Sequence, residues 1–266
     1  MIRRASHSLT LLEFESLSAK EGVRHFISTR LGGVSPPPFD SLNLGFRMND
    51  DPACVLGNRE RLAEAVGFPL DHLTVTKQVH GDRVRIIGTE QRGMGARDYE
   101  GGMSETDALV TDVLDICIMV LVADCVPILL YDAKRGVIGA VHSGWKGTAA
   151  KIGLKAVRTM CERYGCRASD IIAGIGPSIG PCCYEVGCEI ASTVESAAGM
   201  TSREKIAGKS HLDLWEANRR VLIESGIPDA SIETARICTR CRADLFYSER
   251  HHPGTGRFAA GILLSR

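Results

Sequence analysis

Residues 107–142, DALVTDVLDICIMVLVADCVPILLYDAKRGVIGAVH, decide the fold. Four apolar runs follow one another closely: DALV, ICIMVLV, PILLYD and GVIGAVH. They are rich in Val and Ile, and continuous runs of this length suit strands buried on both faces. The turn AKRG lets PILLYD run out and GVIGAVH run back, so His142 returns near Cys125.

Outward from this block, strands alternate with helices. KGTAAKIGLKAVRTMCERYG places Ile152, Ala156, Met160 and Tyr164 four apart, which predicts one helix ending at Gly165. DIIAGIG reads as a strand, residues 188–197 as a helix, and HLDLWEANRRVLIESG as an amphipathic helix ending at Gly226. SIETARI and RFAAGILL read as late strands. Upstream, DDPACVLGNRERLAEAVG is a helix capped by Asp50 or Asp51, with Pro52 in its first turn and Gly67 as its stop. TVTKQV and RVRII read as strands flanking a turn at HGD, with His80 at a strand end. GVSPPPFDSLNLG is a loop, and the glycine-rich QRGMGARDYEGGMSETD a flexible one. No repeat, low-complexity tract or linker divides residues 1–266, so one domain is expected. It belongs to the α/β (α+β) class, layered around a mixed sheet.

Composition excludes several functions. Lys plus Arg and Asp plus Glu are 32 each, and a chain of zero net charge gives no electrostatic argument for nucleic acid or an anionic membrane. Aromatics are too sparse for a base-stacking surface. No segment approaches the roughly 20 apolar residues of a membrane span. MIRRASHSLTLLEFES lacks a convincing signal-peptide core, so a cytoplasmic location is expected. The ten cysteines then read as reduced thiols, with Cys117, Cys161 and Cys188 in the core. Cys238 and Cys241 form a C-x-x-C, but a second one is missing, so no zinc ribbon is assigned. The adjacent Cys182 and Cys183 form no such motif, and whether any of these four enters a pocket stays open.

The chemistry lies in KQVHG, VADC and VHSGW, which offer His80, Cys125 and His142. Two imidazoles and a thiolate suit zinc, and copper by ligand type. Three protein ligands leave a tetrahedral position open, as in catalytic sites. The competing reading is two polar histidines and a buried thiol. Asp124, on the opposite strand face from Cys125, reads as a supporting carboxylate or a general acid–base. HSGWKGT, with Lys146, and GIGPSIGPCCYEVG are glycine loops suited to close approach of an anion or ligand, or simply tight turns. Asn43 and Arg47 of SLNLGFR and Gln78 of KQVHG are further candidate substrate contacts.

KQVHG, VADCVPILLYD, AVHSGWKGT, GPSIGPCCYEVG and the late TGR together resemble the YfiH-like laccase-domain family, also called multicopper polyphenol oxidases. The likeness runs from SLNLG near residue 41 to the C-terminus. It implies metal ligation by His80, Cys125 and His142, with Asp124, Cys125 and His142 at the catalytic centre. It also implies a zinc-containing purine nucleoside phosphorylase that cleaves adenosine, inosine, guanosine and S-methyl-5'-thioadenosine with phosphate, and that deaminates adenosine. The fold it implies is a four-layer α/β/β/α sandwich with mixed sheets, similar to the cytotoxic-necrotizing-factor type deamidases. Those enzymes use a Cys–His pair, which leaves a Cys125–His142 hydrolase as one alternative. A copper-dependent phenol oxidase is another, and eight histidines are few for several coppers. A non-catalytic metal or nucleoside sensor is the third. DLFYSERHHPGTGR departs from the paired arginines of relatives: only Arg250 remains, followed by His251 and His252. Purine nucleosides and phosphate are the expected partners, and the chain is expected to be a monomer or weak homodimer.

Overall fold

The computed structural model describes residues 1–6, 9–200 and 209–265. The hairpin at its centre is as expected. Val126–Asp132 and Val137–Ser143 pair antiparallel, with Pro127 opposite His142 and Val126 opposite Ser143.

Numbered along the chain, the strands are β1 (Ile2–Ser6), β2 (Leu9–Glu13), β3 (Val23–Ser28), β4 (Leu73–Val75), β5 (Val84–Ile86), β6 (Ala108–Thr111) and β7 (Cys117–Val122). Then come β8 (Val126–Asp132), β9 (Val137–Ser143), β10 (Ile171–Ile175), β11 (Glu185–Gly187), β12 (Lys209–His211), β13 (Ile232–Thr234) and β14 (Phe258–Leu264). The helices are α1 (Glu15–Ser18), α2 (Pro52–Val66), α3 (Trp145–Ala149), α4 (Ile152–Tyr164), α5 (Cys188–Ala197) and α6 (Leu214–Glu224).

Two six-stranded mixed sheets result. One runs β1-β2-β3-β14-β7-β4, antiparallel except for the parallel pair β4–β7. The other runs β13-β10-β8-β9-β6-β5, with parallel pairs at both edges. A small β11–β12 ribbon stands apart. Period-2 alternation divides each strand's side chains between two interiors. Ile118 and Val120 of β7 meet Leu129 and Ile138 between the sheets. Cys117 and Met119 point the other way, onto Leu62 and Ala63 of α2. In the second sheet, Ile128 and Val141 face Ile152 and Ala156 of α4, with Val221 and Leu222 of α6 beside them. Each such fully buried Val, Leu, Ile or Met side chain contributes about 1.5–3 kcal/mol. The sheets are therefore apolar on both faces, which is why their strands read as unbroken apolar runs.

Helix α2 is built as its sequence dictates. Asp51 caps it by accepting from the Ala53 N–H at 2.8 Å, and Gly67 closes it at φ 85°.

Four expectations need correction. The helix after His142 is two helices, broken at Lys151, which takes φ 57°. Lysine is a good helix former, so a periodic stripe cannot reveal this break. TVTKQV and RVRII are strand over only part of their length and flank more than a turn: β4 and β5 lie in different sheets, and the chain between them crosses from one to the other. His80 sits in that crossing, at φ 59°, beyond the strand end. Of the three core thiols, only Cys117 is fully buried; Cys161 and Cys188 are half-buried. No described helix is long and apolar enough to cross a membrane.

Candidate metal centre

Two chain crossings and one strand end meet. The segment after β4 carries His80, the three-residue link between β7 and β8 carries Cys125, and the end of β9 carries His142. Their ligand atoms all lie within 4.8 Å of one another. The two imidazole rings meet edge-to-face, 4.9 Å apart at 77°. Gly144 makes the convergence possible: a Cβ there would stand 3.0 Å from Cys125 Sγ and 3.3 Å from His80 Cδ2. That is the physical reason for glycine in VHSGW.

The residue that organises the trio escaped the sequence reading. Asp107, fully buried at the start of β6, accepts from His142 Nδ1 at 2.8 Å and from the N–H groups of Val79, His80 and Gly81 at 3.2, 3.0 and 2.9 Å. It thus fixes the His142 tautomer, leaving Nε2 for the centre, and sets the loop that presents His80. The only available signal was an acid opening a wholly apolar strand, DALV.

The electrostatics suit a cation. Burial alone would raise the Cys125 thiol, but His142 and then His80 pull it down to about 6. Burial alone would lower His142, but the Cys125 thiolate and the Asp107 carboxylate raise it to about 9. Burial opposes ionisation of Asp107 too, yet His142 and the N–H groups of Gly81 and Val79 hold it below the usual carboxylate range. Without metal, the centre is a thiolate beside an imidazolium. One soft thiolate and two imidazoles within this span fit zinc with an open fourth position. In zinc-stripped protein, Cys125 is expected to react with iodoacetamide at a rate that is level above about pH 6 and falls below it. Zinc should protect it. Peptide mapping across a pH series measures both, and unchanged reactivity on zinc loading would contradict ligation.

The trio lines a cavity of about 810 Å³, with His80 exposed, Cys125 half-buried and His142 buried. Phe46, Tyr99, Trp145 and Tyr184 supply aromatic wall, and Arg47, Arg59, Arg250 and Arg257 supply positive charge. Arg59 is buried and bonds only carbonyl oxygens, those of Leu44, Gly95 and Ala96.

The other sequence candidates divide. Arg47 reaches the cavity and lies over the Tyr99 ring at 5.2 Å. Gln78 also lines it, while clamping the backbone of Leu121 through two 2.7 Å bonds. Asn43 is buried behind the wall, bonded to Asp50, the Gly45 N–H and the Arg257 N–H. Lys146 is exposed over Trp145, outside the lining. Asp124 has left the strand at φ 84°, so strict alternation does not apply to it. Its carboxylate accepts from Thr239 Oγ1 at 2.6 Å and from the Arg250 N–H at 2.7 Å, tying two distant loops to the cavity rim. His251 and His252 lie outside the lining and are exposed.

A mixed α/β fold with an open three-ligand site at the mouth of its sheets defines a metal-site protein of the enzyme type. The chain belongs to the family described as multi-copper polyphenol oxidoreductase laccase, whose model matches residues 24–265. It is 39% identical over 241 residues to the purine nucleoside phosphorylase YlmD of Geobacillus stearothermophilus, covering 89% of this chain and 88% of that one. It is 36% identical over 260 residues to adenosine deaminase RL5 of an unknown prokaryotic organism, covering 95% and 99%. The crystal structure of the Bacillus licheniformis protein YfiH superposes with a TM-score of 0.90 at 34% identity, covering 99% of both chains.

Proposed function

We infer that this chain is a purine nucleoside phosphorylase acting on adenosine, inosine, guanosine and S-methyl-5'-thioadenosine, with adenosine deaminase activity, at a zinc site of His80, Cys125 and His142. The observation that carries this reading is the convergence of those three residues in the lining of a cavity with aromatic side chains and arginines. The similarity to relatives named for both activities supports it.

In phosphorolysis an oxygen of hydrogen phosphate bonds to C1′ as the C1′–N9 bond breaks; the bond's electron pair goes to N9, and the proton that hydrogen phosphate gives up ends on the leaving base. Tyr99, Trp145 and Tyr184 offer faces for a purine. Arg47, free of ion pairs among the described residues, is placed to bind phosphate; Arg250 and Arg257 line the same cavity, engaged with Glu185 O and Glu249 respectively. Gln78 holds the end of β7 in register with the His80 loop. Asn43 and Asp124 act by positioning, through the Arg257 and Arg250 backbones respectively. Held by His80, Cys125 and His142, a zinc ion would supply Lewis acidity in the cavity. Asp107 keeps the His142 proton on Nδ1 throughout.

The reading takes the stacked sheets and their helices as the four-layer α/β/β/α arrangement of cytotoxic-necrotizing-factor type deamidases. A reducing, cytoplasmic setting goes with it, since thiolate ligation needs reduced cysteines. One observation favours a second reading: without metal, Cys125, His142 and Asp107 form a nucleophile–base–orienter set, as in a cysteine hydrolase. Ligation to zinc would occupy that thiolate.

The test incubates adenosine and inosine with and without phosphate and separates the products. Phosphate-dependent release of adenine and hypoxanthine is expected, with inosine formed from adenosine when phosphate is omitted. No change to either nucleoside, with a phenol oxidised only after copper loading, would overturn the assignment.

A further inference from the structure

The isolated C-x-x-C of the sequence acquires a partner in three dimensions. After β10 the chain makes a tight turn through Cys182 and Cys183, with the Cys183 and Tyr184 N–H groups both bonded to Gly180 O. After β13 it runs alongside, through the parallel bridge Ser178–Cys238, and reaches Cys241. The four sulfurs lie within 4.8 Å of one another. Cys241 Sγ stands 3.6 Å from Cys182 Sγ and 3.5 Å from Cys183 Sγ.

We propose that Cys182, Cys183, Cys238 and Cys241 form a second metal site, a closed tetrathiolate that takes a structural zinc ion. A zinc–sulfur bond of about 2.3 Å gives a tetrahedron with sulfur–sulfur edges of about 3.8 Å, close to the spacing found here. A disulfide requires about 2.05 Å and joins only two sulfurs. Here Cys241 approaches Cys182 and Cys183 almost equally. Adjacent cysteines point apart on a strand, but in a turn they reach the same point, so a vicinal pair replaces the missing second C-x-x-C. The Gly180 N–H donates to Cys238 Sγ at 3.3 Å, the kind of backbone support that orients a thiolate ligand. Gly180 itself is pinned, since a Cβ would lie 2.5 Å from the Trp215 ring.

The site contains no histidine and leaves no open position, so its role is mechanical. It ties the turn that leads to Tyr184 to the loop that supplies Thr239 and then Arg250. Thr239 and the Arg250 N–H are the two donors to Asp124, and the Arg250 side chain donates to Glu185 O at 2.8 Å. Both joined segments wall the catalytic cavity.

The test measures zinc by mass spectrometry on full-length protein purified under reducing conditions. About two zinc ions per chain are expected, one open site and one closed. The double variant His80→Ala/Cys125→Ala removes the cavity site, so its zinc reports only the cysteine cluster. It should keep about one zinc, and cobalt substitution should give the intense thiolate-to-cobalt charge-transfer bands of a tetrahedral four-sulfur site. Adding Cys241→Ala should abolish both signals. Cys241 is exposed, so its truncation removes no core contact, and circular dichroism checks the fold. A double variant without metal, or one whose zinc survives Cys241→Ala, would overturn the proposal. So would an intact mass showing a disulfide among the four. None of these results depends on activity, so failure of the phosphorylase assignment would register separately.

Discussion

Cys125→Ala is expected to remove zinc from the cavity site and to lower kcat/KM for phosphorolysis by at least about 10³-fold, with the fold intact. A Lewis acid contributes several kcal/mol to transition-state charge stabilisation, and each 1.36 kcal/mol is about tenfold in rate. Cys125 is the informative ligand to remove. His142→Ala would leave the buried Asp107 carboxylate without its imidazole, so lost activity and lost stability would be confounded. Cys125 is small and half-buried, and its truncation opens little space. Zinc content, initial rates and a melting curve on one preparation measure the outcome. Zinc retained at the wild-type level would sink the ligand assignment.

The second large effect is expected at Asp107. Asp107→Ala strands three backbone donors and the His142 Nδ1–H. Buried donors left unpaired cost about 1–3 kcal/mol each before relaxation. A net loss of roughly 3–5 kcal/mol is anticipated, a third or more of a typical stability of about 5–15 kcal/mol. At about 2–4 °C per kcal/mol for a chain near this size, the melting point should fall by roughly 10 °C. Asp107→Asn keeps the shape and one acceptor oxygen but loses the charge. It should melt closer to the wild type while losing about 10–100-fold in zinc affinity or activity. Native zinc affinity and rate in the Asn variant would remove the orienting role.

What was legible in the sequence was local or periodic. The start and stop of α2 rest on Asp51, Pro52 and Gly67, each acting within a turn of its own position. The β8–β9 hairpin follows from two apolar runs and a short turn, and it alone brings Cys125 towards His142. What was hidden depends on where distant segments meet. The crossing between β4 and β5 is invisible because both runs look like strands whichever sheet they join. β2 and β3, LTLLE and VRHFIS, are short runs broken by polar residues and carry no cap or turn signal of their own; Leu9, Leu11, Phe26 and Ile27 are buried where α2 and β14 pack beside them. Asp107 gives no signal by itself, since its four donors come from a loop 26–28 residues earlier and from a histidine 35 residues later. The role of the four cysteines stays open in the sequence because motif spacing counts along the chain, while the two turns that hold them are neighbours across β10 and β13.

Two of the three cavity ligands ride on links between the sheets: His80 on the passage from β4 to β5, Cys125 on the passage from β7 to β8. The centre is therefore a rivet through two plates. Any slip of one sheet against the other displaces a donor, and a bound ion resists that slip in turn. Opening of the apolar seam between the sheets would separate the donors, so the side chains that fill the seam, Ile118, Val120, Leu129 and Ile138 among them, would bear on how tightly an ion is held from a distance.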